Sequence, residues 1–377
     1  MKIGLMIRNL GEMGGINVYT VNLIENLLKI DKSDKFIFIY NDKNLIGRYS
    51  RYKNVKEIAV ESRFKLYWDQ ILVPKIIKKE NIDIIFNPKL SIPLFTKAHK
   101  VLMIHGAEQF AVKSAFKWYD RIYVQIMMPL YAKFADEVLT TTKTGIDDLS
   151  GYLKIPKVKF AFAYEGVHER FKVLNNNLLN EVKKRYNLPD KFILFIGGLT
   201  PLKNFGRVVQ AFDIINQKHD YKLVVIGFNR FKFENELKVA EGLKEKNKII
   251  FPGFIPDEDL PAFYNLAHLL IFPSLYEGFG LPVLEAMACG CPIVTTKTGC
   301  TKEVTDKAAL LADPYNIQDI AEQIEKLIID KELRDQLIKS GFERVKNFSW
   351  EKCATETLEI LRKTVTEFSV SKLPISV

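Results

Sequence analysis

Three times this 377-residue chain runs from a short apolar stretch into a glycine-bearing turn and on into a stretch with helical spacing. Residues 2–7 lead through Gly14-Gly15 to residues 16–30. Residues 192–196 lead through Gly197-Gly198 to a helix from about Phe205. Residues 269–272 lead through Gly278 and Gly280 to a helix that Gly290 ends. Within 16–30, Val18, Val21, Leu23, Ile24, Leu27 and Leu28 keep the helical period. Further strand candidates fall at 36–40, 55–60, 82–86, 101–104, 137–141, 222–227, 249–251 and 292–295. Helix candidates fall at 68–79, 122–135, 181–186, 259–267, 317–329 and 333–345, and a last one starts after Ser349, a good N-cap. Strands alternating with helices imply parallel, doubly wound α/β sheets, whose ligands gather at the carboxyl ends of the strands. The polar, asparagine-rich stretch 174–180 reads as linker or loop.

The 269–290 unit carries the most chemistry. Gly278 and Gly280 allow backbone angles or close approaches that a side chain forbids. Pro282 suits the first turn of a helix, and Leu284, Met287 and Ala288 supply a packed face. A helix start exposes amides and a partial positive charge, which suits a phosphate, here near Gly280 and Leu281. Glu277 stands in the turn and Glu285 about one helical turn inside. Carboxylates repel a phosphate but accept hydrogen bonds from hydroxyls. A phosphate with hydroxyls on either side describes a nucleotide sugar. Lys203, at the mouth of the 197–204 turn, is a candidate clamp on a diphosphate. The Gly14-Gly15 amides offer another phosphate contact. His105, just past the strand at 101–104, is placed for ligand contact rather than for core packing.

The run Glu277-Gly-Phe-Gly-Leu-Pro-Val-Leu-Glu285 followed by Ala-Met-Ala-Cys-Gly resembles the Glu-x7-Glu signature of the retaining glycosyltransferases of family 4, which have the GT-B fold. The resemblance spans nearly the whole chain and is weakest between about 40 and 100. It implies two Rossmann-like parallel-sheet domains facing a cleft: 1–170 on the acceptor side, 171–354 binding the donor, and a final helix over about 355–377 packing back on the first. It implies a metal-independent hexosyl transfer, with retained configuration, from a GDP-mannose or UDP-hexose type of donor. The acceptor is a glycan or lipid-linked sugar of cell-surface polysaccharide or lipopolysaccharide synthesis. By the resemblance Glu277, Lys203 and His105 are catalytic. The donor contacts Gly14, Gly15, Gly198, Lys203, Phe254, Glu277, Gly278, Phe279, Gly280, Leu281 and Glu285, with Glu285 on the ribose, Glu277 on the sugar and Phe254 beside the base. No cofactor is implied beyond the nucleotide sugar as substrate. Retention is open to same-face attack or to a glutamate nucleophile. The chain departs from the family pattern in three places: Gly198 where an arginine is usual, Gly106 where an aspartate follows the histidine, and Glu165 where the hinge has asparagine.

Composition limits the alternatives. An apolar fraction of 47% suffices for real cores. No run approaches the ~20 apolar residues of a membrane helix, and the N-terminus reads as a strand rather than a signal peptide, so the expected location is cytoplasmic. The net charge of +10 is uneven: residues 1–170 hold 27 Lys and Arg against 18 Asp and Glu. That excess suits contact with anionic lipid at the inner face of the membrane, or with a lipid-diphosphate acceptor. Basic and aromatic residues interleave at 48–53, 63–68 and 113–119, in stretches suited to an acceptor glycan or to headgroups. A nucleic-acid-binding protein is the reading from another class; no motif for it is present and no nucleic-acid partner is expected. A same-fold epimerase, a soluble-sugar synthase and an inactive sugar-binding protein are the remaining alternatives. The four cysteines form no paired metal framework, and Cys289 and Cys291 read as buried filler.

Overall fold

Thirteen strands form among the described residues, and every pairing is parallel. The computed structural model describes residues 1–8, 10–12, 14–227, 233–242 and 246–370. The chain divides into two units: Met1–Ala107, Tyr119–Gly166 and Ser349–Val377 make the first, and Glu108–Trp118 with Val167–Phe348 the second.

The first unit holds β1 (Lys2–Met6), β2 (Lys35–Tyr40), β3 (Val55–Ala59), β4 (Ile84–Asn87), β5 (His99–Met103), β6 (Glu137–Thr140) and β7 (Phe160–Phe162), in the order β3-β2-β1-β4-β5-β6-β7. The second holds β8 (Phe192–Ile196), β9 (Lys222–Ile226), β10 (Ile249–Ile250), β11 (Leu269–Phe272), β12 (Ile293–Thr296) and β13 (Leu310–Ala312), in the order β10-β9-β8-β11-β12-β13. Strands such as β8 and β11 are buried at every position, because helices cover both faces of a sheet built by crossovers. Each unit is thus the doubly wound α/β domain that the alternation implies. In each sheet the order reverses once, between β1 and β4 and between β8 and β11, and such a reversal leaves a crevice at the carboxyl ends of the two strands.

The helix Trp350–Val370 belongs to the first unit, where it packs on the helix Gly15–Ile30. Ser349 caps it, accepting from the Lys352 amide at 3.1 Å. Arg362 fastens it further on, with Nη2 2.9 Å from Asp34 and 3.2 Å from Asp31. At its start, Gly166 lies so close that an added Cβ would stand 2.1 Å from the Trp350 nitrogen.

Several elements differ from the sequence reading. The stretch 174–180 is not linker: Asn175 caps the helix Asn176–Arg185, accepting from the Leu178 amide, and Val182 buries the inner face. Asparagine is as good a cap as it is a loop residue. The helix expected over 68–79 is interrupted. Lys65–Tyr67 is α-helical, Trp68–Leu72 is a π turn and Val73–Glu80 is α-helical again. Pro74 has no amide to offer Gln70 and would crowd its carbonyl, and the wider turn relieves both. Residues 298–303, expected as a turn, open the short helix Thr301–Thr305. The helix Lys143–Leu153, capped by Thr142, and the strand β7 carried no expectation.

Candidate active site

Four loops of the second unit leave the carboxyl ends of neighbouring strands β8, β11, β12 and β13, and hydrogen bonds join them. After β8, Gly197 takes φ +147°, and an added Cβ there would touch the stem of Lys203 at 3.5 Å. The carbonyl of Gly197 also closes the space over Gly227, where a Cβ would stand 2.2 Å away. The 3-10 turn Pro201–Lys203 then ends on Asn204, left-handed at φ 63°, which begins the helix Phe205–Asn216. Asn204 is buried and donates from Nδ2 to the carbonyls of Pro273 (3.0 Å) and Pro314 (2.6 Å). The Leu275 amide donates to the Leu202 carbonyl at 2.8 Å. From the β12 side, the Cys300 amide donates to the Glu277 carbonyl at 3.1 Å, and the Thr298 hydroxyl donates to Leu275 at 3.0 Å. Gly299, at φ +66°, lies so near Glu277 that a Cβ would meet its carbonyl at 2.9 Å.

This bracing brings Lys203 and Glu277, 74 positions apart, into one ion pair. Lys203 Nζ lies 2.5 Å from Glu277 Oε1 and 4.8 Å from the centre of the Phe272 ring. The side chains retain 21% and 11% of their exposure, so the pair is partly withdrawn from water yet reachable. Gly280, at φ +96°, begins the helix Leu281–Ala288 without a side-chain cap. Pro282 stands in the first turn, as the sequence implies. Phe279 is turned inward against Phe348, with ring centres 5.9 Å apart, so only its backbone is offered to a ligand. Gly278 lies between Glu277 and Phe279 in the same loop, and Gly198 in the loop after β8.

Glu285 sits on the helix Leu281–Ala288, where its Oε2 accepts from the Tyr264 hydroxyl at 2.6 Å. Burial pushes its carboxyl up to about 7; Asp257 adds to the rise, and the Tyr264 bond and Arg170 work against it. Phe254 is 82% exposed beyond β10, next to Gly253 at φ +87°. Sequence reasoning missed Asn204 and Tyr264. An asparagine after a Pro-Leu-Lys turn and before a helix is the signal for the first, since asparagine tolerates the left-handed region. Tyr264, far along the chain from Glu285, gave none.

In the first unit, Gly14 takes φ +126° at the start of the helix Gly15–Ile30, again without a side-chain cap. A Cβ on Gly15 would meet nothing within 4 Å. His105 is held at both ring nitrogens: Nε2 lies 2.9 Å from the Pro88 carbonyl and Nδ1 3.2 Å from Glu165 Oε1. The carbonyl can only accept, so Nε2 is the donor there. Tyr19 meets the ring edge-on at 4.7 Å. Both nitrogens are therefore occupied within the protein. Glu165, a departure from the family pattern to which sequence reasoning gave no part, is the residue that holds Nδ1. Of the basic and aromatic stretches, Phe64 and Tyr67 are exposed, whereas Trp68 and Tyr49 are core. The four cysteines are buried and form no disulfide. Among the described residues, no group of three or more His, Cys, Asp and Glu side chains is placed to hold a metal ion.

Residues 179–344 match the model of the family described as glycosyl transferases group 1, a stretch that contains Lys203, Glu277 and Glu285. The chain is 34% identical over 180 residues to an O-antigen chain mannosyltransferase B of Escherichia coli, covering 47% of each chain. It spans less than half the length of the curated mannosyltransferases it matches. Over 364 residues it is 28% identical to an uncharacterized glycosyltransferase of Methanocaldococcus jannaschii, covering 90% of this chain and 92% of that one. Among solved structures, a glycosyltransferase from Rickettsia africae superposes with a TM-score of 0.76 at 21% identity, covering 97% of this chain and 98% of the other. At that identity the likeness shows the fold alone.

Proposed function

We propose that the protein is a retaining glycosyltransferase that moves a hexosyl unit, a mannosyl unit first, from a nucleotide diphosphate sugar to a glycan or lipid-linked acceptor of surface polysaccharide synthesis. The Lys203–Glu277 pair at the strand reversal of the second unit carries this reading. An ammonium group and a carboxylate at the ends of two neighbouring strands suit the two halves of a sugar diphosphate: Lys203 meets the departing phosphates, and Glu277 accepts from sugar hydroxyls. The start of Leu281–Ala288, which has no side-chain cap, adds phosphate contacts. Electrostatic preorganisation of this kind supplies the largest share of many rate enhancements. The family match over 179–344 and the mannosyltransferase name of the relative support the reaction class and the sugar. Retention follows from same-face attack in which the leaving phosphate oxygen takes the acceptor proton.

Contact with an anionic bilayer through the first unit is part of the proposal. Ile122 and Ile126 stand exposed one turn apart on the helix Trp118–Phe134, in the unit that carries most of the basic excess. Among the described residues, no helix is long and apolar enough to cross a membrane.

A thermal-shift panel of GDP, UDP and ADP and their hexoses tests the donor assignment, because a ligand of the folded state raises the melting temperature. The expected outcome is a rise with one nucleotide family, GDP-mannose first, and an α-linked product by NMR from that α-linked donor. Absence of a shift with every member would overturn the reading.

A pH dependence follows from Glu285. Its folded carboxyl titrates at about 7, above the ordinary carboxylate value, so the protonated form favours folding and that contribution is lost as pH rises through 7. Ribose hydroxyls need the ionised form. Nucleotide affinity is therefore expected to fall as pH is lowered from 8 to 6, with proton release on binding near 7. Glu285→Gln is expected to bind more weakly and without that slope, as calorimetry in two buffers would show.

A further inference from the structure

The first unit has its own strand reversal, between β1 and β4, and a pocket opens at their carboxyl ends. Arg8 follows β1, Asn87 ends β4, and Lys89 comes two residues later; Lys65 and Asp69 reach in from the segment 65–72. The wall behind them is Trp68, fixed by its indole N–H on the Val60 carbonyl at 2.7 Å. The Arg8 guanidinium lies 5.8 Å from the Trp68 ring and also lines a second, more open depression with Asn41, Asp42, Glu61, Ser62 and Arg63.

The ion pairs here leave one cation, Arg8, unmatched among the described residues. Lys65 is paired with the buried Asp69 at 2.6 Å, and Lys89 with the exposed Glu12 at 3.1 Å. Arg8 makes no ion pair among the described residues: Nη2 donates to the Ser62 carbonyl at 3.0 Å, and Nη1 is buried without an acceptor. A buried guanidinium N–H without an acceptor is costly, and a planar fork of donors is matched best by an oxyanion. The lining holds three cations and one acid, with amide and hydroxyl groups of Asn87 and Ser91 beside them.

We infer that this pocket binds an oxyanion carried by the acceptor, with Arg8 as its principal ligand and Lys65 and Lys89 at its rim. The inference rests on the transferase reading for the word acceptor; the oxyanion site itself does not. A phosphate of a sugar phosphate or the diphosphate of a lipid-linked glycan supplies the same chemistry.

Two measurements separate these claims. First, tryptophan fluorescence is followed during titration with inorganic phosphate for the parent protein, Arg8→Gln and Lys203→Ala. The expected result is a saturable change that survives Lys203→Ala and is weakened about tenfold or more in Arg8→Gln. Loss in Lys203→Ala with retention in Arg8→Gln would place the anion at the nucleotide site and overturn the proposal, as would no saturable change in the parent; neither outcome touches the transferase reading. A melting curve of Arg8→Gln checks that the variant is folded, and Arg8→Lys, which keeps the charge, is expected to recover part of the binding. Second, transfer is assayed with a hexose phosphate, a lipid-diphosphate glycan and a neutral oligosaccharide. Arg8→Gln is expected to raise KM about tenfold for whichever charged acceptor is used. An equal rise for the neutral acceptor would overturn the acceptor assignment. Failure of all three acceptors with the parent would count against the transferase reading, while the phosphate titration still decides the pocket.

Discussion

Lys203→Ala is expected to lower kcat/KM for the nucleotide sugar by about 10²–10³-fold, the usual consequence of removing one preorganised charge from a developing oxyanion. The structure adds a second effect. Glu277 loses the one ion-pair partner it has among the described residues, while its side chain stays 11% exposed. Because the pair is partly open to water, the cost to stability is below that of a fully buried pair, about 1–2 kcal/mol. The two effects separate by design. Lys203→Met combined with Glu277→Gln removes both charges at nearly constant volume, so the melting temperature should recover toward that of the parent while turnover stays lost. Calorimetry and initial rates on the two variants decide the matter. Full turnover in Lys203→Ala would remove the lysine from the mechanism.

The largest expected effect on stability lies at Gly166. An added Cβ there would stand 2.1 Å from the Trp350 nitrogen and 2.4 Å from the Ser349 carbonyl carbon. These are backbone atoms at the start of a capped helix, and no rotamer change moves them aside. Overpacking of this severity costs about 3 kcal/mol or more, and each kcal/mol lowers the melting temperature of a domain of this size by about 2–4 °C. Gly166→Ala should therefore melt about 6–12 °C early, with loss of helical circular dichroism at the first transition as Trp350–Val370 detaches. Gly15→Ala is the internal comparison: nothing lies within 4 Å of its Cβ, so it should melt with the parent protein. Equal melting temperatures for the two variants would show that the Gly166 contact relaxes at little cost.

The doubly wound fold was legible because its strands are buried on both faces and so read as unbroken apolar runs, as in β8 and β11. Departures came where one residue type serves two structures. Asn175 serves a cap as readily as a linker, and Pro74 is absorbed by a π turn instead of ending its helix. At the candidate site, Lys203 and Glu277 stand out separately, each by its place in a glycine-bearing turn. That they pair is a property of the β8–β11 adjacency, which the order of strands along the chain does not disclose. The clamp on His105 was hidden for the same reason: Glu165 lies 60 positions away, and only the sheet brings them together.

Asn204 also bears on how such a site can be remodelled. Its one amide group holds the carbonyls that follow β11 and β13, while its own backbone starts the helix after β8. A substitution there would loosen three segments at once, so the end of the site that holds Lys203 and Glu277 can be inherited only as a block. Phe254, 82% exposed and outside that network, is free to vary. Changes at that rim therefore leave the Asn204 network, and the Lys203–Glu277 pair it braces, untouched.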